Sequence, residues 1–136
     1  MLKLSILSPE RRLVEGASVS EVTLKGSEGD IQILPGHAPM VGTLDIGAFV
    51  YRSTDGSATV GVIAGGFFEV RDDQLTVLAE TVELKNEIDL EGARKAQKEA
   101  EDALKEANID EHNFKLYQFR LEKALIQQQV ASKDHH

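Results

Sequence analysis

Apolar and polar positions alternate with a period of two through the first part of the chain and with a period near 3.6 after it. In Leu2–Leu7, Val19–Lys25, Ile31–Leu34, Ala48–Ser53, Ala58–Ala64, Phe67–Arg71 and Leu75–Glu80, β-branched, aromatic and leucine residues alternate with polar ones between Gly, Pro and Asp punctuation. That is the mark of half-buried strands. Asp55-Gly56 separates two of these runs and suits a hairpin turn, because glycine accepts positive φ. Many short strands with no helical run between them predict an antiparallel β-sandwich or barrel.

From about residue 86 the pattern changes. Leu90, Ala93, Ala96, Ala100, Ala103, Leu104 and Ala107 fall on one side of a helical wheel, with the charged residues from Glu91 to Glu106 on the other. Asn86 or Asp89 is placed to cap this helix. Asn108-Ile-Asp110 reads as a break, and Asp110 caps a second helix running to about Val130. The second helix carries two apolar stripes. Phe114, Tyr117, Leu121 and Leu125 lie on one face, and Leu116, Phe119, Ile126 and Val130 lie nearly opposite. A partner helix covers one stripe only, so the other needs the sandwich or another protein. The expected fold is α+β, an antiparallel β-sandwich over residues 1–84 followed by an antiparallel αα-hairpin over residues 85–136. Ten of the eleven Gly and all three Pro precede residue 85, which sets the boundary.

Composition narrows the partners. At 41% hydrophobic and 28% charged residues, the chain is too apolar for wholesale disorder. The net charge of -8 argues against nucleic acid, whose binding depends on neutralising phosphates with Lys and Arg. The acidity is concentrated early: residues 1–84 hold 6 basic and 12 acidic side chains, and residues 85–136 hold 9 and 11. With no cysteine, disulfides and thiolate metal sites are excluded. No apolar run approaches the roughly 18 residues of a membrane span, and the start, Met1 to Glu10, lacks the regions of a signal peptide. The chain is expected to stay where it is made.

The segment Ser27-Glu-Gly-Asp-Ile-Gln-Ile-Leu-Pro-Gly-His-Ala-Pro-Met40 is an acidic turn, a short apolar strand and a rigid loop. Pro35 and Pro39 fix φ, and Gly36 frees the bend between them. The stretch resembles the S/K-E-G-x-x-G-I-L-P-G-H-x-P-L signature of the epsilon subunit of F-type ATP synthases. Ala64-Gly-Gly-Phe-Phe-Glu-Val70 is similar to that family's S-G-G-F-L-E-V, and Leu75-Thr-Val-Leu-Ala-Glu80 to its V-T-V-L-A-D. Order, spacing and length agree over essentially the whole chain. Gln32, Met40 and Ala64 stand where the family often has Gly, Leu and Ser.

The resemblance implies a non-catalytic rotor subunit of a proton-translocating ATP synthase. It implies two antiparallel sheets followed by two helices, bound to the gamma subunit and to the polar loops of the c-ring. Its place would be peripheral, on the cytoplasmic face of a bacterial plasma membrane. Glu28, Asp30 and His37 would face the c-ring, and Ser8, Met40, Val41 and Gly42 would lie against gamma. The helices would restrain hydrolysis by the alpha/beta head, and the isolated subunit would be a monomer. Some bacterial members bind ATP through an I/L-D-x-x-R-A motif. The matching stretch here is Leu90-Glu-Gly-Ala-Arg-Lys95, with Glu91 for Asp and Lys95 for Ala. Glu83, Glu91, Arg94, Arg120 and Lys123 are the candidate contacts for ATP as a regulatory ligand, and no other cofactor is implied.

Other chemistry finds little support in the residues. Ser27, His37 and Asp30 can be drawn as nucleophile, base and orienter, and His37 with Glu28 and Asp30 as metal ligands, but only nearness in sequence joins them. No Walker-type phosphate loop exists; Ala64-Gly65-Gly66-Phe67 is expected to join two strands. His112 and His135-His136 are assigned nothing. A second class of function is a free-standing β-sandwich ligand-binding module that oligomerises through its helical hairpin.

Overall fold

The computed structural model describes residues 1–132; His135-His136 lie outside the described residues. The chain forms β1 (Leu2–Leu7), β2 (Arg12–Gly26), β3 (Gly29–Ile33), β4 (Met40–Ser53), β5 (Ala58–Arg71), β6 (Gln74–Ala79), β7 (Val82–Leu84), a 3-10 turn over Lys85–Glu87, α1 (Leu90–Leu104) and α2 (Glu111–Ser132). β1 bonds to β2 on one side and to β6 on the other, so the order β1-β6-β5-β4-β2 closes on itself. β3 pairs with β2, and β7 continues along β5. All pairs are antiparallel except β1–β6, in which Lys3 to Leu7 run beside Gln74 to Leu78. The long excursion between these two strands makes a parallel neighbour possible without a tight turn.

Alternation inside the closed ring builds one core. Leu2, Leu4 and Ile6 from β1 meet Val22, Leu24, Phe49, Phe68, Val70, Leu75 and Val77, all buried. No residue beyond Val82 belongs to this buried cluster. A fragment of residues 1–86 is therefore expected to fold alone. A cooperative thermal melt with dispersed amide resonances is the expected result, and a featureless melt would contradict it.

Several expected strand limits change: β2 begins at Arg12 and not at Val19, and β4 at Met40 and not at Ala48. Ala58–Ala64 and Phe67–Arg71 are one strand, and Ala64-Gly65-Gly66-Phe67 lies inside it. Here φ is 81° at Gly65 and 134° at Gly66. Ile63 and Phe68 both enter the main core, although strict alternation would send residues five apart to opposite faces. The glycine pair absorbs the change of phase.

The helices form a hairpin whose α2 lies on β4 and β5 and whose α1 packs mainly on α2. Asp89 caps α1 by accepting the Gly92 amide at 3.0 Å, and Asp110 caps α2 by accepting the Asn113 amide at 3.0 Å. Ala93 and Ala100 of α1 and Ala124 of α2 are buried, and Gln128 donates to Gln97 across the pair at 2.7 Å. Leu125, expected on that stripe, remains exposed; alanine-lined helices approach closely, and Ala124 takes the buried position. On the other side, Ile126 and Val130 pack with Val50, Val60, Val62 and Ile88 in a small second core.

The linker is latched. Arg11 donates to both Glu87 carboxylate oxygens at 2.8 and 2.7 Å and to the Val82 carbonyl at 2.9 Å. Glu87 also accepts the Leu84 amide at 2.7 Å. The Arg11 bond, then the Leu84 amide, hold the Glu87 carboxyl down to about 2 from its ordinary 4.5. Because the folded value is the lower one, this contribution is complete above pH 4.5 and declines as the pH falls from 4.5 toward 2. The pair is more than a third exposed, so solvent screening limits it to about 1 kcal/mol. Urea midpoints of wild type and Glu87→Gln are expected to differ at pH 7, with a gap that narrows as the pH falls from 4.5 toward 2. A constant gap across that range would contradict the latch.

Candidate functional site

The phase change at Gly65-Gly66 decides which side chains face outward. β6 pairs Leu78 with Phe67, and β4 pairs Thr43 with Phe67 and Val41 with Glu69. On the far side of β6, Leu7 stands beside Leu78. One apolar row, Leu7–Leu78–Phe67, thus crosses three strands, with Val41 a step away on β4. Val41 is 70% exposed, Phe67 61% and Leu78 50%. Together with Gly42, Thr43, Glu69 and Thr76 they line a shallow groove. α2 covers the other half of β4 and β5, around Val50, Val60 and Val62, and leaves this row open.

Strand directions gather a set of connections at one end of the sandwich. β2 ends, β3 and β4 begin, β5 ends and β6 begins there. Glu28 and Asp30 are exposed in and beside the β2–β3 turn, with Asp30 opposite Lys25. His37 is half-buried and follows a turn closed by its own amide on the Leu34 carbonyl at 3.1 Å. Its ring Nδ1 sits 2.7 Å from the Ala38 carbonyl, so the proton on Nδ1 makes that bond. Met40 and Val41 are exposed at the start of β4. A Cβ at Gly42 would lie 2.6 Å from the Phe68 ring, so Gly42 serves the packing of Phe68. Ser8 follows Leu7 at the far end of the apolar row, in a turn where its amide donates to the Arg11 carbonyl at 2.8 Å.

Phe67 and Leu78 are the members that period-two reading passes over. Each sits next to a core residue in an apolar run, Phe67-Phe68 and Val77-Leu78-Ala79. In such runs alternation can bury only one of two neighbours. The surplus outward residue is the signal, but its identity depends on the phase set by the glycine pair.

The drawn catalytic group does not assemble. The Ser27 hydroxyl donates to Asp45 at 3.3 Å and accepts from Thr43 at 2.7 Å, while His37 turns to its own loop. Nor do the candidate nucleotide contacts form a receptive cluster. Gln127 donates to Glu83. Glu91 pairs with Arg94 at 2.9 Å. Arg120 lies 5.2 Å from the centre of the Tyr117 ring, and Lys123 is half-buried.

The family described as ATP synthase, Delta/Epsilon chain, beta-sandwich domain matches residues 1–85. Its companion, the long alpha-helix domain, matches residues 86–132. The chain belongs to the ATP synthase delta/epsilon family. The ATP synthase epsilon chain of Trichlorobacter lovleyi is 45% identical over 132 residues, 97% of this chain and 94% of that one. That of Geotalea daltonii is 42% identical with the same coverage. That of Halalkalibacterium halodurans is 40% identical over 97% of this chain and 98% of its own. The fold is that of a chain in the Euglena gracilis mitochondrial ATP synthase OSCP/F1/c-ring structure, with TM-score 0.85 at 24% identity over 95% of this chain and 80% of that one. A chain of the Tetrahymena thermophila central stalk/c-ring structure gives 0.65 at 14%, over 96% of both.

Epsilon chains are non-catalytic subunits of the F-type central stalk, and this chain is one by family. The free-standing ligand module is set aside on that ground. No described helix is long and apolar enough to cross a membrane, and the subunit belongs to the complex as a peripheral component.

Proposed function

We propose that residues 1–84 join the gamma subunit to the c-ring in a proton-translocating enzyme, and that residues 85–136 restrain ATP hydrolysis by the alpha/beta head. The observation that carries the docking half is the uncovered apolar row on β1, β6, β5 and β4. Contiguous exposed apolar surface of this kind marks a protein contact. Gamma takes the row through Leu7, Leu78, Phe67, Val41 and Met40, with Ser8 at its edge. The c-ring takes the polar end through Glu28, Asp30 and His37. The isolated subunit is then a monomer, held in the cell at the cytoplasmic face of the plasma membrane by its partners.

The restraining half follows from unequal packing. The sandwich core contains sixteen buried residues, whereas the second core beneath α2 contains three, Val60, Val62 and Val130. Phe114, Phe119 and Leu125 stay exposed on α2. Few contacts hold the hairpin down and several apolar side chains await a better partner, which is what a two-state element needs. ATP as a regulatory ligand would use Glu83, Glu91, Arg94, Arg120 and Lys123. It would have to break the Glu83–Gln127 and Glu91–Arg94 contacts, so we assign the restraint to the helices without bound nucleotide.

The test assembles the enzyme with this subunit truncated after Glu87 and compares ATP hydrolysis with the full-length assembly. Hydrolysis is expected to rise about fivefold, the factor given by a bias of about 1 kcal/mol. Equal rates at all nucleotide concentrations, with and without a proton gradient, would leave the hairpin a structural brace.

A further inference from the structure

The β5–β6 connection is strained and placed against the Pro-Gly-His turn. Asp72 and Asp73 hold φ of 53° and 59°, and they are the two non-glycine residues with positive φ among those described. Asparagine and aspartate tolerate this region better than other side chains, yet glycine occupies it more readily. The Asp73 backbone carbonyl accepts the Lys3 amide at 2.9 Å. Its carboxylate Oδ1 accepts the Gly36 amide at 2.6 Å, and Oδ2 lies 3.9 Å from the amino terminus.

The Gly36 amide is the group that matters. Leu34 to His37 form a turn with Gly36 at φ 83°, the third position of a turn of type II. The amide at that position belongs to the central peptide and is not the one that closes the turn; the His37 amide does that. The Gly36 amide therefore points away from the turn and needs an outside acceptor. Asp73, thirty-seven residues later in the chain, supplies one with a formal charge, which makes the shorter and stronger kind of bond.

We propose that Asp73 is a positioning residue for the docking end: its carboxylate clamps the Leu34–His37 turn to the β5–β6 connection, so that His37 and Met40 are presented in one arrangement before the partner arrives. The inference rests on the docking role given to His37 and adds a residue to it. Pre-ordering a contact loop lowers the entropy lost on binding, so loss of the clamp weakens association although Asp73 itself touches no partner.

Two substitutions separate the carboxylate from the backbone. Asp73→Gly removes the acceptor and accepts φ 59° without strain. Asp73→Asn keeps an oxygen acceptor and tolerates the same φ while removing the charge. In the full-length subunit, Asp73→Gly is expected to speed hydrogen exchange at the Gly36 amide about tenfold and weaken association with gamma–c-ring complexes about fivefold, with an unchanged thermal midpoint. Asp73→Asn is expected to restore both to within about threefold of wild type. Wild-type exchange at Gly36 in Asp73→Gly would overturn the clamp. An Asp73→Asn variant that keeps Gly36 exchange near wild type but loses association as far as Asp73→Gly does would overturn the positioning role, by assigning the binding effect to charge. Faster exchange with unchanged association would overturn the positioning role. Full-strength docking by His37→Ala would instead condemn the docking reading on which the inference rests, and the Gly36 exchange result reports on the clamp independently.

Discussion

Replacing Phe67 by aspartate is expected to lower the affinity for gamma at least about 30-fold, a loss of about 2 kcal/mol or more, while leaving the subunit folded. Phe67 is 61% exposed in the free subunit and makes the centre of the outward row between Leu78 and Thr43. An aromatic side chain at the centre of an apolar contact is the type of residue that dominates binding. A carboxylate there would be desolvated without a partner. Met40→Asp with Val41→Asp attacks the margin of the same surface, and the two changes together are expected to cost about 2 kcal/mol. Titration calorimetry of each variant against gamma, with a thermal melt of the free subunit as control, measures the effect. An unchanged affinity for Phe67→Asp would move the gamma contact elsewhere.

Gly66→Ala is expected to destabilise the sandwich by about 3 kcal/mol or more. An added Cβ would stand 2.2 Å from the Leu78 carbonyl oxygen and 2.9 Å from the Ala79 Cα, at φ 134°. Both obstacles are backbone of the paired strand β6, so relief requires β5 and β6 to separate. Strain at such a φ costs about 1–3 kcal/mol, and overpacking adds about as much again. For a domain of this size the thermal midpoint falls by about 12 °C or more. Gly16→Ala is the control, because Gly16 has φ 65° but nothing within 4 Å of an added Cβ. If urea titration gives the two variants equal losses, the close approach of β5 to β6 is not what requires glycine at position 66. The change also bears on function, since the same glycine pair directs Phe68 inward and Phe67 outward.

Much of this was legible in the residues. The change of period near Leu84–Glu87 and the caps at Asp89 and Asp110 follow from local rules, and local rules describe them well; the two apolar stripes of α2 were legible only in part, because Phe114, Phe119 and Leu125 stay exposed. The length of β5 was not legible, because Gly-Gly reads as a break, and only pairing with β4 through Ile46–Ala64 and Leu44–Gly66 carries the strand across it. Ring closure through the parallel β1–β6 pair is a contact between strands about seventy residues apart in sequence, which no local pattern records. The apolar row depends on that same pairing. Leu125 was misplaced by one position because helical spacing defines a stripe but not which of two neighbours an alanine-lined helix will bury. The Arg11–Glu87 latch and the Asp73–Gly36 clamp join residues distant in sequence, and Arg11, Glu87 and Asp73 each read as ordinary surface charges. The docking residues proposed at Ser8, Glu28, Asp30, His37, Met40 and Val41 came from family resemblance; the structure adds the surface on which several of them lie.

The central claim is that this subunit works as a stalk component through its sandwich face. The most direct measurement is affinity purification of the tagged full-length subunit from membranes, with identification of the co-purifying chains, beside the same preparation of the Phe67→Asp variant. The account predicts gamma and c-ring with the wild type, a monomer when the subunit is purified alone, and a marked loss of gamma with the variant. Recovery of a self-assembled oligomer without gamma, or equal recovery of gamma by both forms, would contradict it.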